Sequence, residues 1–326
     1  MMSRLWNFAT SYGQRNIVTI LGTIACGSAF STIIPNTIYV ENYKDFFQLY
    51  RKSFPLVVNE EVDDILSEVS DELNLAIRNP KVELCHTIGQ SLSRFGSAWS
   101  NCTCYIGLPV NFSYRSVKDI DENIMVDEKK VNWDSKEGEN LKESLLLSKR
   151  AMKYAIAHEL KIAHGPILYL HSAYPFLVIF SLININNSVV DKIIYSRSPR
   201  FYMKLFYTSL AVFGLGFYFV LKDCTTKYFE VKADEELAKT SEDYLLGGIE
   251  FLEKQLLMNI ALRSLLPDGR SEYTAEGEEI HLFRRKHSPI QERLRIFKNE
   301  LEAQRQRNSK TSLLNDTENP SFNTDS

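Results

Sequence analysis

The sequence predicts a multi-pass α-helical membrane protein with a mainly α, α+β soluble body. Three long apolar segments, at 17–36, 165–186 and 203–221, are the first observation. The second is that mean hydropathy over the 326 residues is only -0.21, so apolar residues are concentrated rather than spread. The third is that most of the remaining chain repeats its apolar residues at helical spacing, with one Gly- and Ser-rich stretch at period two.

Residues 1–16 carry Arg4, Arg15, Trp6 and Phe8 and no acid, the pattern of a targeting or anchor flank. The first apolar segment, 17–36, has an 18-residue core ending at Pro35, just enough to cross a bilayer with help from its flanks. Its small residues Gly22, Ala25, Gly27 and Ala29 predict close helix packing. A signal sequence or a buried helix is the alternative. The second segment, 165–186, has no charged residue, and Pro175 predicts a kink. The third, 203–221, is edged by Lys204 and Lys222, which can snorkel, and has Tyr and Phe near both ends. A short loop with Lys192, Arg197 and Arg200 joins these two into a helical hairpin, returning the chain to the side it left. The alternative is a hairpin buried in a soluble core.

That return places 37–164 and 222–304 in one body. Residues 41–80 read as helical, with Val57, Val62, Ile65, Leu66, Val69, Leu73 and Ile77 at mostly three- and four-residue steps. Residues 92–133 read as short strands or hairpins. Residues 134–164 return to helix, capped by Asp134 or Ser135, with Leu141, Leu145, Leu146, Ala151, Tyr154, Ala155, His158 and Ile162 able to share a face. Residues 228–266 form another helical region, interrupted around Gly247-Gly248, and 305–326 is a polar tail predicted to be disordered.

With 38 basic and 41 acidic residues and no basic stripe, no field is available to hold nucleic acid. Five cysteines without framework spacing argue against a secreted disulfide scaffold. The Cys102-x-Cys104 pair has the spacing for copper or disulfide exchange, against the bland reading of idle or buried thiols. Asn101 and Asn111 head glycosylation sequons, which matter only in the secretory pathway.

Residues 155–165 read AIAHELKIAHG. A gluzincin helix needs His-Glu-x-x-His, so that two imidazoles face one zinc ion and the Glu activates water. His158 and Glu159 are in place, but Ile162 stands where the second His belongs. His164 is six residues beyond His158 and so on another face of a straight helix. The order of later islands resembles the M48-type membrane metallopeptidases. FEVKAD, with Glu230, Ala233 and Asp234, matches the helix that carries the third ligand. RKHSPIQERLR, with His287, Pro289 and Arg293, matches a His-Pro-x-x-x-x-Arg element with its proline shifted. This resemblance implies a degenerate gluzincin-like (M48-like) fold whose vestigial site holds His158, Glu159, Glu230, Asp234, His287 and Arg293, with no catalytic residue, metal or cofactor. The bland reading leaves His158 and Glu159 at a surface or core edge, Glu230 and Asp234 solvated, and His287 in a basic cluster.

VNWDSKEGENLKESLLLSKRAMKYAIAHE (131–159), GGIEFLEKQLLMNIALRSLL (247–266) and HLFRRKHSPIQERL (281–294) resemble the transmembrane protein 177 family. The resemblance implies a multi-pass protein of the mitochondrial inner membrane and a non-enzymatic assembly and stability factor for cytochrome c oxidase. The implied partners are newly made subunit 2, its assembly chaperone and inner-membrane lipids, with no nucleic acid. The alternatives are a membrane zinc metallopeptidase, inactive or weak because of Ile162, and a small-molecule or lipid binder that uses the vestigial cavity. Phe251, Leu252, Leu256 and Leu257 can serve as core or as docking surface.

Overall fold

The apolar segments become three long helices that stand on a mixed body. The structure, a computed structural model, describes residues 11–318 except 101, 122–123, 128 and 195–198. In chain order the helices are α1 (Ser11–Thr37), α2 (Val40–Phe47), α3 (Glu60–Leu73), α4 (Lys136–Leu145), α5 (Lys149–Ala163), α6 (Ile167–Ile194), α7 (Pro199–Thr240), α8 (Glu242–Leu265), α9 (Gly269–Glu272) and α10 (Ile290–Glu318). The strands are β1 (Tyr50–Arg51), β2 (Phe54–Pro55), β3 (Val82–His86), β4 (Ser93–Gly96), β5 (Cys104–Leu108), β6 (Met125–Val126) and β7 (Lys129–Lys130).

Among the described residues, α6 and α7 are the two helices long and apolar enough to cross a membrane. They pack on each other, and α1 packs along α6. Ala25 and Ala29 of α1 are buried, whereas Gly22 and Gly27 face open space, so only the alanines make the expected close contact. The closer approach is between α6 and α7, where a Cβ on Gly214 would lie 2.7 Å from Leu182. Helix α6 continues through Pro175. Outer side chains such as Phe180, Val212 and Leu215 are exposed, as a surface facing lipid requires.

Helix α7 does not stop at Leu221. It runs 42 residues to Thr240, roughly 63 Å at the usual rise and about twice a ~30 Å hydrocarbon core. Its second half therefore enters the body. The expected interruption at Gly247-Gly248 lies instead at Ser241, whose hydroxyl caps α8. The glycines serve packing. A Cβ on Gly247 would meet the Arg150 carbonyl at 2.3 Å, and one on Gly248 would meet the Phe297 ring at 2.6 Å.

The body departs from the sequence reading in three further places. Residues 41–80 are not one helical stretch: the β1–β2 hairpin interrupts them, turning through Lys52 and Ser53 at positive φ. The stretch 134–164 is two helices. Ser135 rather than Asp134 caps α4, and Ser148 caps α5, accepting from Ala151 N at 3.2 Å. Strand β3, outside the expected strand region, lies parallel to β5, and β4 lies antiparallel to it, giving the order β3-β5-β4. β5 is buried throughout because it is the central strand. Helix α10 extends past Arg305 to Glu318. Residues 319–326 of the expected tail and 1–10 of the flank lie outside the described residues, as do Asn101 and Arg197.

The core forms where α5 is enclosed by α3, β5, α7, α8 and α10. Ile65, Ile106, Tyr154, Ile156, Leu160, Leu237, Leu252 and Phe297 are fully buried there. Phe251 and Leu256 pack against the same cluster, so the apolar face of α8 serves as core.

Candidate functional site

The residues of the His-Glu island share a cavity with those of the two later islands. Tyr154 and His158 are four residues apart on α5, so they stack on one face, and Glu230 and Asp234 do the same on α7. The first turn of α10 brings Arg293 between them. Its Nε donates to Asp234 Oδ2 at 2.6 Å, and its Nη2 reaches Asp234 Oδ1 at 3.1 Å, Tyr154 Oη at 3.0 Å and His158 Nε2 at 2.9 Å. Tyr154 donates to Asp234 Oδ1 at 2.6 Å. His158 Nδ1 lies 3.1 Å from Glu159 Oε1. Nε2 lies 2.9 Å from the Arg293 donor and 3.5 Å from Asp234 Oδ1. Because a guanidinium can only donate, the shorter contact sets the lone pair toward Arg293 and the proton on Nδ1, beside Glu159.

Each carboxylate has a cationic or donor partner. Arg94 Nη1 donates to Glu159 Oε2 at 2.7 Å. His287 Nδ1 lies 2.5 Å from Glu230 Oε1, and Ser288 N donates to Glu230 Oε2 at 2.8 Å. Asp234 is 0% exposed and Glu230 is 6% exposed, so the solvated reading of these two does not hold. His158 is also buried, not a surface residue. Burial acts to raise the Glu159 carboxyl, but the Arg94 guanidinium and His158 outweigh it and bring it down to about 2. Hydrogen bonding to Glu230 holds the His287 imidazole above its ordinary value. Burial opposes the charge on Arg293, yet Asp234 overcomes it and keeps the guanidinium ionised.

All of these residues except the fully buried Asp234 line a cavity of about 540 Å³ where the body meets the long helices. Asn36 of α1, His171 of α6 and Lys222 of α7 reach it from the helical side.

The residues that are present do not fit a zinc ion. The His158 lone pair that would bind the metal accepts from Arg293, so a guanidinium already supplies the cation. Ile162 is buried apolar core. His164 turns away to the carbonyls of Leu160 and Ala76. Among the described residues, no three His, Cys, Asp or Glu side chains are grouped to hold a metal. The Cys102-x-Cys104 pair is split between environments. Cys104 is fully buried in β5, and burial pushes its thiol up to about 12, the setting of an inert thiol.

Sequence reasoning missed Arg94 as a partner and Tyr154 as part of the polar network. Arg94 sits on β4 opposite Ile106, and its carboxylate partner is 65 residues away, so no local spacing announces it. The period-two pattern could have placed it on a strand, but not opposite Glu159.

A family model described as Transmembrane protein 177 matches residues 100–300, which hold all six candidate residues. The chain is similar to Transmembrane protein 177 of Xenopus laevis, 27% identical over 307 residues that cover 91% of this chain and 97% of the relative. It is 30% identical to that of Danio rerio over 302 residues, covering 86% of this chain and 94% of the relative. To that of Homo sapiens it is 31% identical over 187 residues, covering 56% and 60%. No solved structure matches.

Proposed function

Because the chain belongs to the transmembrane protein 177 family, we propose that it is a non-enzymatic assembly and stability factor of the mitochondrial inner membrane. It acts on newly made cytochrome c oxidase subunit 2, together with that subunit's assembly chaperone. In this reading α1, α6 and α7 cross the bilayer and the body stands on one side. The observation that carries it is the Arg293 guanidinium on the His158 lone pair. That contact supports a site given to architecture, in which the charged groups hold α5, α7 and α10 together instead of acting on a substrate. Helix–helix packing in the bilayer and a body face would then hold the client.

The test is affinity capture of the full chain from mitochondria labelled during translation. Newly made subunit 2 and its chaperone are expected to co-purify, and deletion is expected to lower oxidase subunit levels. Unchanged subunit levels on deletion would overturn the proposal.

The convergence of His158, Glu159 and Glu230 on one cavity favours a second reading, descent from an M48-like peptidase scaffold. If the site still worked as a peptidase, purified protein would carry about one zinc per chain and lose activity on Glu159→Gln. Metal analysis that finds no zinc would end that branch.

A further inference from the structure

The segment 280–287, IHLFRRKH, holds its apolar residues away from the body. Leu282 is 89% exposed and Phe283 is 98% exposed. The segment is nevertheless held at several points. Ile280 N donates to Glu272 O at 2.7 Å, and His287 and Ser288 bind Glu230. In the middle, Arg284 makes a two-pronged contact with Asp223 at 2.7 and 2.8 Å, and its guanidinium lies 4.2 Å from the centre of the Phe219 ring.

Those last two partners fix the height of the segment along α7. Phe219 lies in the apolar run that ends at Leu221, and Asp223 lies just beyond it. Lys222 sits over the Tyr218 ring at the same level. Tyr174 of α6 bonds Thr225 just below, so both helices pass from apolar surface to body here. Phe283, next in the chain to Arg284, is therefore tethered near the edge of the apolar band, where Val220 of α7 is also exposed. Arg285 and Lys286 follow, both exposed, and no salt bridge is made by either among the described residues. Exposed apolar residues followed by unpaired cations are the arrangement by which a segment seats in a lipid interface: rings among the acyl chains, cations on phosphate.

We propose that residues 280–286 form a membrane-seated loop. Leu282 and Phe283 enter the acyl edge of the bilayer that α6 and α7 cross, and Arg285 and Lys286 contact anionic phospholipid headgroups. The loop fixes the mouth of the cavity at the membrane surface, since Arg284, Arg285, Lys286 and His287 all line it. The inference rests on α6 and α7 being membrane spans.

The test uses the full chain in vesicles of phosphatidylcholine with and without phosphatidylglycerol. Accessible Cys26, Cys102 and Cys224 are first changed to Ser. A nitroxide is placed at Leu282→Cys or at Phe283→Cys, and at Val212→Cys on the outer face of α7 as a reference. Collisions with oxygen report lipid, and collisions with a water-soluble nickel complex report water. All three positions are expected to favour oxygen. In vesicles with phosphatidylglycerol, Arg285→Glu with Lys286→Glu is expected to shift the Leu282→Cys label toward water. A lipid signal at Val212→Cys with water signals at both loop positions would overturn the loop and leave the spans standing. Water signals at all three would overturn the spans and the loop with them. No shift on charge reversal would overturn the headgroup contact.

Discussion

The two halves of α7 invert each other. In the first half, apolar side chains face outward: Val212 is 68% exposed and Phe213 is 53% exposed. In the second half, Glu230 and Asp234 are buried at 6% and 0%. One continuous helix thus shows apolar residues outside in one half and charged residues inside in the other. The lesson is that the surroundings decide burial. Lipid costs an apolar outer face nothing, while a carboxylate enters the body only because Arg293, Tyr154, His287 and a backbone N–H replace its water.

Removing a charge from the inner half should produce the largest effect. Asp234→Ala leaves Arg293 buried without its carboxylate, which typically costs about 3–5 kcal/mol. Denaturation of the protein in detergent is expected to show a loss of that order, with partial recovery in Asp234→Leu combined with Arg293→Met. A loss no larger than that of an exposed substitution would break the contrast. Adding a charge to the outer half should come next. Val212→Asp places a carboxylate on the lipid face, at about 2.5–3.5 kcal/mol on insertion scales. A membrane-insertion assay is expected to show a reduced inserted fraction, while Val212→Leu inserts as the natural chain does.

A third prediction concerns the start of α8. In GGIEFLEK, Glu250 Oε1 accepts from Ser148 N at 3.1 Å, its other oxygen accepts from the Ser148 hydroxyl, and Lys254 donates to the Leu146 carbonyl. α8 therefore clamps the break between α4 and α5. Ser148→Ala removes the cap of α5 and should cost about 1 kcal/mol, read as a shift in denaturation midpoint. Since Glu250 loses its hydroxyl partner too, an effect near zero would show that the clamp does not hold the break.

Much of the site was legible because its residues fall at helical intervals or in islands. Tyr154 with His158, and Glu230 with Asp234, each lie on one helix face, and Arg293 follows His287 in one short island of the sequence. The transition from apolar to polar sequence at Leu221 was also plain. That the helix persists through the transition was not, because hydropathy reports the surroundings and not the backbone. Arg94 stayed hidden because its role depends on a strand register and a partner far along the chain. The β1–β2 hairpin stayed hidden because Lys52 and Ser53 are unusual at positive φ, where Gly or Asn is the customary signal. The glycines of α8 misled because a helix breaker and a close-packing site carry the same letter.

The smallest effect is the pH dependence carried by His287, and its sign is opposite to that of Glu159 in the same cavity. Glu159 is held at about 2 against an ordinary 4.5. Its stabilising contribution is therefore complete above pH 4.5 and is lost as pH falls through about 2. His287 is held above its ordinary 6.5 by Glu230. The stability that this pair contributes is complete between about pH 4.5, above which Glu230 is ionised, and 6.5, and it is lost as pH rises through the raised value. The His287 side chain is 70% exposed, so water screens the pair and its share should stay under about 1 kcal/mol. Denaturation midpoints measured from acid to mildly alkaline pH are expected to show a shallow decline above pH 6.5 that flattens in His287→Gln. In Glu159→Gln the acid-side decline should become shallower, with Glu230 and Asp234 keeping the remainder, and the alkaline one remain. If His287→Gln left the alkaline slope unchanged, the His287–Glu230 contact would contribute nothing to stability, and Glu230 would owe its burial to the Ser288 N–H and the Arg293 charge.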